Sequence, residues 1–249
     1  MTRTQVRTEI SGPMATMTLF TQEGINVMSP DLLRDLKTAI AKIADDPNVR
    51  TTVLQGEGRV FAAGADIKIM ASFNADQAAA FGKLGQEVLN DLESLPSITV
   101  AALNGATLGG GLETALACDF RIAVKSAKIG LPETSLGLMP GWAGIRRLTE
   151  LVGPTRAKKL YFSAIPVSAE DGLAFGLVDE IVNSVEDLTP RVVAFCRSFR
   201  RGAPTAVALA KRALRTGDDL AAFVDCFATD DAREGIAAFL EKRPANWME

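Results

Sequence analysis

Ser97 to Asp119 constrains the fold more than any other stretch of the chain. Ser97-Ile-Thr-Val-Ala-Ala-Leu103 reads as a buried strand, short and mostly apolar, set between Pro96 and an Asn104-Gly105 turn signal. Past Gly109-Gly110-Gly111, the residues Leu112, Ala115 and Leu116 recur at helical spacing. A strand therefore turns through glycines into a helix. The first amides of a helix have no partner within it, and the dipole there favours negative charge. Glycine lets a bound group approach that backbone closely. Glu113 stands three residues past Gly110, which sets a carboxylate base beside donors for a developing anion. The same pattern equally suits a tight packing point with a solvated acid in the first helical turn.

The flanking sequence alternates strands and helices. Residues 5–21 read as two strands joined near Ser11-Gly12-Pro13, and Ser29-Pro30-Asp31 opens a helix with an N-cap, a proline and a first-turn acid. Leu32, Leu36, Ile40 and Ile43 form its apolar stripe. A strand at 49–55, an amphipathic helix at 76–95 and strands at 120–124 and 128–131 follow. Further helices are expected at 142–151, 154–163, 168–175, 187–200, 204–215 and 219–241, with one strand at 178–182 between them. Strands cease near 183, which predicts an α/β core with a helical C-terminal part. Two more stretches carry chemistry-bearing residues at turns. Phe61-Ala-Ala-Gly-Ala-Asp-Ile67 is a run of small residues between a strand and a helix. Leu131-Pro-Glu133 leads into Leu-Gly-Leu-Met-Pro-Gly141 and Trp142.

Composition removes whole classes of chemistry. Among 249 residues there is no histidine, so Ser-His-Asp and Cys-His nucleophiles and His-ligated zinc are excluded. Acid–base work falls to Asp, Glu, Lys, Tyr or Cys. A net charge of −3, with no basic run longer than a pair, argues against nucleic acid as a partner. Cys118, Cys196 and Cys226 are scattered without a CxxC, as expected of free thiols in a reducing, cytoplasmic setting. No secretory leader is expected, and the uncharged stretch 94–112 holds Pro96 and a glycine cluster, which suit a buried strand and loop rather than a membrane span. Neither GxGxxG, GxxxxGK[ST] nor GxSxG occurs.

Taken together, the order of Phe61–Ile67, Asn104-Gly through Gly109-Gly-Gly-Leu-Glu113, and Leu131-Pro-Glu133 through Pro140-Gly141 resembles the enoyl-CoA hydratase/isomerase, or crotonase, family. The ending Arg233-Glu-Gly-Ile-Ala-Ala-Phe-Leu-Glu-Lys-Arg243 resembles that family's C-terminal signature, so the resemblance spans essentially the whole chain. It implies a ββα-spiral acyl-CoA-binding core over residues 1–195 and a helical segment over 196–249 that mediates trimer formation, giving a homotrimer or a dimer of trimers. It implies an acyl-CoA thioester substrate, with neither metal nor cofactor. The amides of Ala65 and Gly110 match the family's thioester-oxygen donors. Ala63, Asp66 and Ile67 match the segment lining the coenzyme A path, and Gly141 a loop glycine beside the active site. Lys68 either meets a coenzyme A phosphate or, as is commoner, is an exposed lysine at a helix start.

Both glutamates of the family's hydratases are present as Glu113 and Glu133, which implies water addition to a trans-2-enoyl-CoA. Glu113 is expected to activate water, held ionised by its place at a helix start, and Glu133 to protonate C2 from a less polar site. An enoyl-CoA isomerase relying on Glu133 is the alternative enzyme; a non-catalytic or RNA-binding protein on the same fold is the alternative of another class. Two departures stand out. In the loop at 20–28 only Asn26 keeps the family pattern, and Trp142 stands where a small residue is usual. Trp142 either narrows the acyl pocket or packs the following helix on the core.

Overall fold

A strand, a second strand and a helix recur along the chain, and each recurrence adds one strand to each of two sheets. The computed structural model describes residues 3–248. It opens with the antiparallel hairpin β1 (Gln5–Ser11) and β2 (Met14–Phe20), paired from Gln5 opposite Phe20 to Ser11 opposite Met14. Helix α1 (Pro30–Ala44) follows, its N-cap Ser29 accepting the Leu32 amide. The Leu32, Leu36, Ile40 and Ile43 stripe is buried as its spacing predicts.

Three passages then build the spiral. The first comprises β3 (Thr51–Gly56), β4 (Val60–Ala62), α2 (Ile67–Met70) and α3 (Ala75–Glu93). The second comprises β5 (Ile98–Leu103), β6 (Ala106–Leu108) and α4 (Gly110–Leu116). The third comprises β7 (Phe120–Val124), β8 (Lys128–Gly130), a 3-10 turn at Glu133–Leu136, α5 (Gly144–Val152) and α6 (Pro154–Ser163). After them come β9 (Val167–Ser168), α7 (Ala169–Phe175) and β10 (Glu180–Val182). The larger sheet runs β1-β2-β3-β5-β7-β10 and the smaller β4-β6-β8-β9. Within them β3, β5 and β7 pair in parallel, as do β4, β6 and β8. Every residue of β5 is buried, which explains its unbroken apolar run: a central parallel strand is covered on both faces.

The tail is helical: α8 (Val185–Ser198), α9 (Pro204–Thr216), α10 (Asp219–Cys226) and α11 (Asp230–Glu241). One long helix at 219–241 was expected. The chain breaks it at Thr229, whose hydroxyl accepts the Ala232 amide and starts α11 afresh. The division at 195/196 falls inside α8, which continues to Ser198. Sequence reading also omits β4, β6 and β9, which are two or three residues long and too short to show alternation.

Candidate active site

The segments carrying the two matched amides are brought together because β4 and β6 are parallel neighbours and each runs into a glycine turn. Beyond β4, Met28 donates to the Gly64 carbonyl at 2.8 Å and Asp66 donates to the Met28 carbonyl at 2.9 Å. In that parallel bridge it is Met28 that uses both its amide and its carbonyl, so the amide of the paired Ala65 faces away, towards the β6 side. Beyond β6, Gly109 holds φ 53° and ψ −128°, a conformation closed to other residues. It bonds the Gly130 carbonyl at 2.9 Å and delivers Gly110 as the first residue of α4, whose amide has no partner within the helix. The turns touch: a Cβ placed on Gly109 would lie 3.5 Å from Gly64 Cα. Thus the turns that carry Ala65 and Gly110 lie side by side.

Glu113 is 2 % exposed. Its Oε1 accepts the amides of Trp142 at 2.7 Å and Gly144 at 2.9 Å. Glu113 stands in the first turn of α4 as its spacing predicts, but the expectation that this place holds it ionised is corrected: its carboxylate turns to the 142–144 loop rather than to the helix N-terminus. Burial pushes its carboxyl from 4.5 up to about 7, against the downward pull of the Gly144 and Trp142 amides; Glu133 raises it further and Arg147 lowers it. The carboxyl is thus poised near neutrality instead of being held ionised.

Glu133 opens the 3-10 turn, which Thr134 ties to α6 through a 2.6 Å bond to the Tyr161 carbonyl. Its Oε1 would be 2.8 Å from a Cβ on Gly109, so its carboxyl sits over the donor turn. Oε2 is buried without a hydrogen-bond partner among the described residues, and burial raises the pKa while the residue's own amide lowers it. A buried acceptor left unmatched within the chain costs free energy, and a protonated carboxyl there carries a hydrogen to donate.

The other matched residues lie on the turn into α2 or at its start and in the loop before α5. Asp66 spends its carboxylate on capping α2, accepting the amides of Lys68 at 3.0 Å and Ile69 at 3.3 Å. Ala63, Ile67 and Lys68 are exposed, forming an accessible lip. The Gly141 carbonyl accepts from Gln86 at 2.8 Å and borders an open hollow of about 630 Å³ with Met139, Pro140 and Arg146. Trp142 is 3 % exposed, edge-on to Phe81 with centroids 5.2 Å apart. Cβ atoms on Gly85 and Gly110 would come within 2.2 and 2.4 Å of its ring, so the indole is packed between α3 and the start of α4. The core-packing role is therefore present, and the indole also backs the donor amide. A larger hollow of about 1160 Å³, lined by Arg50, Phe199 and Trp247 among others, touches none of these residues; its size does not mark the chemistry.

Sequence reading missed Arg147, Glu93 and Asn90. The Arg147 guanidinium donates to the Trp142 carbonyl, to Asn90 and to Glu93, each at 2.8 Å. More than fifty residues separate Arg147 from Asn90 and Glu93, and only the Arg146-Arg147 doublet was visible in the sequence. Asn26 also proves structural: its amide serves the carbonyls of Leu19, Glu57, Val60 and Phe61 at 3.1–3.2 Å.

A ββα spiral with two glycine turns brought together and two buried carboxyls close enough to influence each other is the framework of an acid–base enzyme. The sequence pattern of the enoyl-CoA hydratase/isomerase family matches residues 9–249, and the chain belongs to that family. It is 41 % identical over 237 residues to a crotonyl-CoA hydratase of Syntrophomonas wolfei subsp. wolfei, covering 91 % of each chain. A short-chain-enoyl-CoA hydratase of Clostridium acetobutylicum is 36 % identical, with 94 % of each covered. Among solved structures, an enoyl-CoA hydratase from Bacillus anthracis superposes with a TM-score of 0.89 at 33 % identity, covering 98 % of this chain and 100 % of that one. DspI of Pseudomonas aeruginosa superposes with a TM-score of 0.91 at 32 % identity, covering 98 % and 96 %.

Proposed function

We propose that this enoyl-CoA hydratase adds water across C2=C3 of a short-chain trans-2-enoyl-CoA, or removes it in reverse, with Glu113 and Glu133 dividing the proton transfers. The thioester oxygen accepts from the amides of Ala65 and Gly110. As a water oxygen bonds to C3, Glu113 takes its proton and the C2=C3 electron pair moves onto the thioester oxygen. The enolate then collapses and C2 takes a proton from Glu133. Every proton is accounted for and no electron is gained or lost, so the reaction calls for no redox cofactor; coenzyme A enters as part of the substrate.

The observation that carries this reading is a pair of electrostatically coupled carboxyls beside the Gly109 turn, one clamped by two amides and the other with a buried oxygen that has no hydrogen-bond partner among the described residues. A base with a pKa of about 7 suits proton abstraction at neutral pH. The names of the relatives support a short acyl chain, and Trp142, packed against Gly110, is the residue proposed to limit its length. Ala63, Asp66, Ile67 and Gly141 are assigned to the coenzyme A and acyl path.

Assembly into trimers, or a dimer of trimers, is proposed for the tail, where Leu214, Leu220, Phe223 and Phe239 are 62–88 % exposed. The thiol usage is in keeping with a cytoplasmic setting, and no helix among the described residues is long and apolar enough to cross a membrane. Crotonyl-CoA incubated in ¹⁸O-labelled, deuterated water tests the reaction. Hydration places ¹⁸O on C3 and one deuterium on C2. Deuterium exchange or double-bond migration without ¹⁸O identifies an isomerase instead.

A further inference from the structure

We propose that Arg147, held by Glu93 and Asn90, is a positioning residue for Glu113: it fixes the peptide between the two amides that clamp that carboxylate. This rests on Glu113 acting as the base. The clamp is a short turn. Trp142 and Gly144 donate to Glu113 Oε1 at 2.7 and 2.9 Å, and the Trp142 carbonyl lies between those two amides. Arg147 Nη1 grips that carbonyl at 2.8 Å.

The turn needs a grip, because Ala143 sits at φ 66°, a left-handed conformation that a residue with a Cβ disfavours. Two contacts hold it there. Arg147 donates its own amide to the Ala143 carbonyl at 3.1 Å and its side chain to Trp142. The guanidinium is itself immobile. It is 4 % exposed, and its remaining donors reach Asn90 Oδ1 at 2.8 Å and Glu93 Oε2 at 2.8 and 3.2 Å. A planar fork of this kind satisfies several acceptors in one fixed geometry, which a lysine does not.

Charge works in the same direction as geometry. The charged groups acting on Glu113 are Glu133, from the 3-10 turn, and Arg147, from α5. Arg147 in turn faces Glu93 of α3, which Arg146 shares at 3.3 Å. Removing the guanidinium loosens the two amides and deletes the cation; both changes disfavour the carboxylate. A tie that only pinned α5 to α3 would involve Glu93 and Asn90 and leave the proton affinity of Glu113 where it is.

The experiment is a pH titration of the Glu113 carboxyl by infrared difference spectroscopy, its band assigned by its loss in Glu113→Gln, alongside kcat/KM for crotonyl-CoA from pH 5 to 9. In Arg147→Gln the midpoint should rise by about one pH unit, the acidic limb of kcat/KM should rise with it, and activity at pH 6 should fall about tenfold. In Glu93→Gln, which keeps the guanidinium and its bond to Trp142, the midpoint should not rise. An unchanged midpoint in folded Arg147→Gln overturns the proposal, as does an equal rise in Glu93→Gln. Where Arg147→Gln does not fold, Arg147→Lys replaces it: a raised midpoint supports the fork's role and an unchanged one overturns it. Absence of hydration by the unaltered protein, with the midpoint still shifting in Arg147→Gln, overturns the hydratase reading and sustains the positioning role. Hydration with an unshifted midpoint overturns the positioning role alone.

Discussion

Gly144→Ala is the sharpest steric probe of the Glu113 clamp. Gly144 is the first residue of α5 and is not among the residues with positive φ, so alanine fits its backbone. The methyl does not fit its neighbour: it would stand 2.5 Å from Glu113 Cγ and 2.8 Å from Oε1. Carbon atoms rest about 3.5–4.0 Å apart, so the glutamate must withdraw by about 1 Å. That breaks or stretches amide bonds of 2.7 and 2.9 Å, each worth about 1.5–3 kcal/mol to the ionised form. A misplacement of about 1 Å costs about 10²-fold in rate, or about 3 kcal/mol of transition-state stabilisation. We therefore expect kcat/KM for crotonyl-CoA to fall about 10²-fold, mostly in kcat, read as slower loss of the conjugated thioester absorbance. Gly82→Ala in α3, where a Cβ meets nothing within 4 Å, is the matched control: full activity and about 0.5–1 kcal/mol more stability. Gly144→Ala activity within threefold of the unaltered protein would falsify the claim that this clamp governs the rate.

The raised carboxyl of Glu113 is also a stability statement. With a folded pKa of about 7 against an ordinary 4.5, its contribution is fully present below pH 4.5 and is lost as pH rises through 7, about 3 kcal/mol in all. Urea unfolding should accordingly show Glu113→Gln gaining on the unaltered protein by about that much between pH 5 and pH 8; a constant difference would mean that the burial penalty is relieved. Trp142→Ala empties the space between Gly85 and Gly110 and should cost about 3–5 kcal/mol while raising kcat/KM for longer enoyl chains relative to crotonyl-CoA; an unchanged ratio removes the indole from chain selection. If the proposed trimer forms through the tail, Phe239→Glu, at a position 83 % exposed on α11, should shift the sedimentation profile towards single chains; an unaltered profile would overturn the role given to this face.

Elements with a long periodic signal were legible in the sequence. The α1 stripe, the Ser29 cap and the unbroken β5 run each express burial that one segment dictates by itself. Short strands were not: β6 exists because Thr107 and Leu108 pair with Ile129 and Gly130 of β8, a tertiary fact. Gly109, Gly110 and Glu113 were visible because glycines and an acid at a helix start are locally unusual. The electrostatics of Glu113 were misread from the same local view, since its amide partners come from the 142–144 turn that leads into α5, some thirty residues further along. Arg147 was invisible for the same reason: a buried guanidinium looks like any surface arginine until α3 is laid beside it.

The central claim is that two carboxyls act as one unit on one water. The most direct measurement is kcat/KM on crotonyl-CoA for Glu113→Gln, Glu133→Gln and the double variant. Acting as a unit, each single change should remove at least about 10³-fold, and the double should lose little more than either, because groups that work together are not additive. Near-unaltered rates in either single variant, or a double loss equal to the product of the two, would contradict the account.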